Sequence, residues 1–177
     1  AQVISDMSAC GDQIVAVGVD GNIQFSGDGG SAWRQLVAPD GYVVDTTAVW
    51  ITGGRIWIGA AAGVVYNSAD EGSSWNLVTV PGLTGTVTDI QFTGDDIGWI
   101  GDTSGRPMST WIGGLNNGDW MRDTQRVYGF PADVVPQRFA LANCASSVVA
   151  ANTLMVMGLD GGDASVLYIG RADVTGI

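Results

Sequence analysis

The sequence predicts an all-β fold of repeated antiparallel sheets, on three observations. Glycine is abundant, with 27 residues in a chain of 177, while charged residues make up only 14%. Strong helix formers are scarce, since lysine is absent and Glu71 is the single glutamate, so the usual charged face of an amphipathic helix is missing. A turn signature opening on Ser26 recurs at Ser68, a spacing of about 42 residues that suits one four-stranded sheet in a radially repeated fold.

Short apolar runs ending in glycine locate the second strand of each module. They are Val15-Ala16-Val17-Gly18, Ile56-Trp57-Ile58-Gly59, Gly98-Trp99-Ile100-Gly101 and Met155-Val156-Met157-Gly158. The steps from Gly18 to Gly59 and from Gly59 to Gly101 are nearly equal, and the step from Gly101 to Gly158 is longer. The long last step implies an insertion. In the first module the pattern predicts strands near Val3 to Ser8, Gln13 to Val17, Ile23 to Ser26 and Trp33 to Val37. The first strands of the next two modules are expected over Val43 to Ile51 and Thr86 to Thr93, where apolar and polar residues alternate. A fourth module is expected to begin near Leu141 and to run through Thr153 to Gly158 and Ser165 to Gly170. The sequence thus predicts a single domain over 1–177, with modules at 3–40, 41–82, 83–125 and 139–177 and an irregular inserted loop at 124–138. Three modules are complete and the last is short of a strand. An unclosed sheet edge invites pairing, so a small ring that also engages a neighbouring chain is the expectation.

The signatures are Ser26-Gly27-Asp28-Gly29-Gly30-Ser31-Ala32-Trp33 and Ser68-Ala69-Asp70-Glu71-Gly72-Ser73-Ser74-Trp75. A short Ser and an Asp can satisfy turn backbone groups with their own side chains, Gly accepts a left-handed conformation, and Trp supplies a large packing surface. In the third module the signature has decayed to Gly113-Gly114-Leu115-Asn116-Asn117-Gly118-Asp119-Trp120. The pattern Ser-x-Asp-x-Gly-x-x-Trp resembles the Asp-box, or BNR repeat, of β-propellers such as sialidases, sortilin-type receptors and the photosystem II assembly factor family. The resemblance covers the repeats. It implies a β-propeller-like fold of about four antiparallel blades, the last incomplete, with Ser26, Asp28, Gly30, Trp33, Ser68, Asp70, Gly72 and Trp75 as structural Asp-box residues. It also implies that Trp33, Trp75 and Trp120 pack between blades.

Charge and composition narrow the partners. Eighteen acidic residues against seven arginines leave a net charge of −11, with no basic stripe for nucleic acid or an anionic membrane surface. Much of the acidity sits in turn contexts such as Asp20-Gly21, Asp28-Gly29, Asp40-Gly41 and Asp160-Gly161. No apolar run reaches the roughly 18 residues of a membrane span, and Ala1-Gln2-Val3 has no basic n-region of a signal peptide. Cys10 and Cys144 are too few for a disulfide scaffold or a zinc cluster and are read as small core thiols.

Histidine and lysine are both absent. That removes Ser-His-Asp and Cys-His pairs, imidazole metal ligands, Schiff-base amines and Walker-type loops. Sialidase chemistry would require an Arg cluster and a Tyr with a Glu partner, whereas the lone Glu71 lies inside a signature turn. Asp95-Asp96 and the pair Asp160 and Asp163 are read as hairpin turns, because adjacent strand residues face opposite ways and the second pair lacks the ligand density of a calcium loop. Trp57 and Trp99 hold matching strand positions and are read as core. Trp50 and Trp111 are less constrained. Tyr128, Phe130 and Trp111 are the candidate binding aromatics. No cofactor and no metal is expected. The expected role is a non-catalytic structural or protein-binding propeller, a homo-oligomer or a subunit of a multi-protein assembly, extracellular or on a virion surface as a phage decoration or tail component. The alternative is a glycan-binding or glycan-cleaving, sialidase-like module.

Overall fold

The computed structural model describes residues 3–39, 45–93, 95–110, 113–122, 135–140, 153–159 and 165–171. The first sheet contains β1 (Ile4–Cys10), β2 (Gln13–Gly18), β3 (Ile23–Ser26) and β4 (Arg34–Gln35). The second contains β5 (Thr46–Thr52), β6 (Arg55–Ala60), β7 (Val65–Ser68) and β8 (Asn76–Val78), and the third β9 (Val87–Thr93), β10 (Ile97–Asp102), β11 (Gly105–Thr110) and β12 (Trp120–Arg122). A fourth, three-stranded sheet is formed by β13 (Val135–Ala140), β14 (Thr153–Leu159) and β15 (Ser165–Arg171). Strands follow chain order within every sheet, and all pairings are antiparallel hairpins. The first strands pack beside one another in the series β1, β5, β9, β13, which sets the sheets around a common inner edge as an all-β, propeller-like stack.

Side-chain alternation divides each sheet between two neighbours. From the first sheet Val15, Val17, Ile23 and Phe25 meet Val49, Ile51, Ile56, Ile58 and Tyr66 of the second, all buried. The other face of the second sheet, with Ala48, Trp57 and Val65, meets Ile90, Phe92, Ile100, Met108 and Trp120. There Trp57 stacks on Phe92 at 4.8 Å between centroids, and Trp120 meets both rings edge-on at 6.1 and 6.2 Å. Full burial of such a side chain contributes about 1.5–3 kcal/mol, so each inter-sheet layer, not any one sheet, is the unit of stability. Trp57 and Trp99 are 0% and 1% exposed, as their matching positions predict.

Three expectations are corrected by the ladder. Ile14 pairs with Ser26, Ile56 with Ser68 and Gly98 with Thr110, so the structural repeat has the same length at both steps. The counterpart of Gly18 is therefore Ala60, and the step from Gly18 to Gly59 falls one position short of the true register. The signature turn pins the end of β3 and β7, and a one-residue slip would turn every core side chain outward. Second, β13 occupies Val135–Ala140, so the end of the span read as a loop at 124–138 is strand, and the fourth module starts before Leu141. Pro136 is tolerated there because β13 lies at the edge of its sheet beside a register irregularity. Third, the decayed turn aligns from Thr110, the counterpart of Ser26 and Ser68, and not from Gly113.

Candidate functional site

The two intact signatures form the same hydrogen-bonded turn. Ser26 Oγ donates to Asp28 Oδ1 at 2.8 Å while accepting from Gly30 N at 2.9 Å, and Asp28 Oδ1 also accepts from Ala32 N at 2.8 Å. In the second, Ser68 Oγ donates to Asp70 Oδ1 at 2.8 Å and accepts from Gly72 N at 2.8 Å, with Ser74 N donating to Asp70 Oδ1 at 2.8 Å. Two consecutive left-handed residues complete each turn: Gly29 and Gly30, Glu71 and Gly72, and again Gly113 and Gly114 in the third sheet. These hydrogen bonds lower both carboxyl pKa values. For Asp70 the Ser74 hydroxyl is the largest cause, and the value falls to about 2. For Asp28, where Ala32 offers only its backbone N–H, the shift is downward with that bond as its main cause.

The tryptophans diverge. Trp75 Nε1 donates across the sheet boundary to Val37 O at 3.0 Å, and its ring packs against the layer between the first and second sheets. Trp120 is 4% exposed and donates to Gly114 O at 2.7 Å. Trp33 makes the corresponding bond within its own turn, to Gly30 O at 3.1 Å, but stays 44% exposed. It therefore departs from the expected packing between sheets, because no described residue covers that side of the first sheet as the first covers the second.

Glu71, set in a left-handed position, reaches back to the first sheet. It accepts from Gln13 Nε2 at 2.9 Å through its carboxylate and from Arg34 Nη2 at 2.8 Å through its carbonyl, with an ion pair to Arg34 at 3.6 Å. Arg34 in turn lies over the Phe25 ring at 4.5 Å. This clasp between two sheets accounts for the single glutamate of the chain. Arg55 Nη1 is held by Asn67 Oδ1 at 3.1 Å.

Around the inner edge, Asp6, Met7, Ser8 and Ala9 of β1, Val49 and Trp50 of β5, and Asp89 and Gln91 of β9 line a cavity of about 230 Å³. Asp6 and Ser8 of this lining, and Thr47 of β5, act on backbone. Asp6 Oδ2 accepts from Val49 N at 2.9 Å, Ser8 Oγ from Ile51 N at 3.2 Å, and Thr47 Oγ1 donates to Val87 O at 2.6 Å. Each tie satisfies a group that an inner edge strand cannot pair in a ladder. Asp89, 2% exposed, accepts from Ile90 N at 2.9 Å. Asp6 and Asp89 occupy matching ladder positions, opposite Val17 and Gly101. That repeat of a carboxylate at one place in the first strand of two sheets was a usable sequence signal. Asp102 extends the pattern, accepting from Thr84 N at 2.8 Å and Gly85 N at 2.7 Å.

Of the other sequence candidates, Asp95-Asp96 forms the turn between β9 and β10, and Trp50 is half-buried against the layer holding Trp57. Cys10 is half-buried against the neighbouring layer. Trp111, Tyr128, Phe130, Cys144, Asp160 and Asp163 lie outside the described residues. Among the described residues, no three His, Cys, Asp or Glu side chains converge as metal ligands would, and no helix is long and apolar enough to cross a membrane.

No family model and no curated protein sequence matches the chain. Solved structures do. YCF48 bound to D1 peptide superposes with a TM-score of 0.64 at 20% identity, over 94% of this chain and 54% of that one. An ancestral GH74 enzyme gives 0.65 at 16% identity over 95% and 24%. The WD40 β-propeller domain of Doa1 gives 0.54 at 14% identity over 96% and 69%. The chain spans about half the length of YCF48 and about a quarter of the GH74 enzyme. At these identities the likeness defines the fold, and the fold of this chain is β-propeller-like.

Proposed function

We propose that this chain is a non-catalytic, protein-binding β-propeller whose repeated turns are Asp-boxes, and that it serves as a subunit of a larger assembly, with a virion decoration or appendage as the concrete form and an extracellular or virion-surface location. One contrast carries the reading. Asp28 and Asp70 hold turns, Arg34 a clasp and Asp6 a backbone edge, whereas the first sheet exposes Met7 at 62% and Trp33 at 44%. Exposed apolar surface of this kind marks interaction sites. The fold itself hosts many roles, and a neighbour of the same fold, YCF48, was solved with a D1 peptide. The lysine-free, low-charge surface of net charge −11 favours protein partners over nucleic acid.

Sedimentation of assembled particles from the source, followed by detection of the chain, tests the proposal. Recovery in the particle fraction is expected, and a chain found only free and without a partner would sink the idea. A glycan array and a sialoside hydrolysis assay test the alternative of a glycan-binding or glycan-cleaving, sialidase-like module. Binding that disappears on replacing Tyr128, Phe130 or Trp111 would install the glycan reading instead.

A further inference from the structure

We draw no further inference here: the strongest candidate, the cavity of about 230 Å³ at the inner edge between β1, β5 and β9, belongs to the site already described, where Asp6 and Ser8 hold the backbone of β5, and nothing in the structure shows what fills it.

Discussion

The turns at Ser26–Trp33 and Ser68–Trp75 are locally the same object placed in two surroundings. Their Ser-to-Asp bonds are both 2.8 Å and both hold a glycine N–H within 2.9 Å. Yet Trp75 is bonded to the preceding sheet, while Trp33, among the described residues, is bonded to its own turn and lies exposed. The difference teaches that the signature encodes a turn by short-range hydrogen bonds, and that the work of its tryptophan depends on whether a sheet stands in front of it.

The largest expected effect separates the two glycines. A Cβ at Gly72 would fall 2.3 Å from Leu36 Cδ1, a buried side chain of the preceding sheet, whereas at Gly30 its nearest neighbour is Ile14 Cδ1 at 3.6 Å. Both residues have positive φ, 80° and 90°, so each alanine carries about 1–2 kcal/mol of backbone strain. Overpacking adds about 1–3 kcal/mol at Gly72 alone. Urea denaturation should therefore show Gly72→Ala losing about 2–5 kcal/mol and Gly30→Ala about 1–2 kcal/mol; equal losses would break the comparison.

Next come the tryptophans. Trp75→Ala removes a half-buried ring and its bond to Val37 O, and about 2 kcal/mol of stability should go with it. Trp33→Ala, in dilute protein, should cost under about 1 kcal/mol.

Acid titration sharpens the contrast within the turns. The folded pKa of Asp70 is about 2 against an ordinary 3.8, so its carboxylate contributes stability that is full above about pH 4 and is lost as the pH falls through 2. Asp70→Asn should be less stable than wild type at neutral pH and converge with it below pH 2. Ser74→Ala should raise the Asp70 pKa, read by carboxyl NMR, because it deletes the 2.6 Å hydroxyl bond that the Asp28 turn lacks. The smallest effect is expected at the clasp. Glu71→Gln breaks an ion pair whose side chains are about half exposed, and thermal unfolding should register a loss below about 0.5 kcal/mol.

Much of the fold was legible because its signals are local. The repeat spacing, the turn chemistry of Ser, Asp and Gly, and the period-two alternation around Trp57 and Trp99 are set within a few residues. The insertion before the fourth sheet was visible as an excess of length, but its end was not, since Pro136 reads as loop until its edge position is known. The site was less legible. Asp6, Ser8 and Thr47 gain their meaning from backbone groups a whole repeat away in the chain, and Glu71 from Gln13 and Arg34 of another sheet.

By itself, the sequence determined the all-β class, the repeat length and the geometry of each signature turn, because these follow from hydrogen bonds and conformational preferences between near neighbours. Only the tertiary structure decided which of three equivalent tryptophans is exposed, which aspartates cap a neighbouring strand, and that the third turn begins at Thr110. Those outcomes depend on what stands across a sheet face, and two sheets with the same local pattern can face different things.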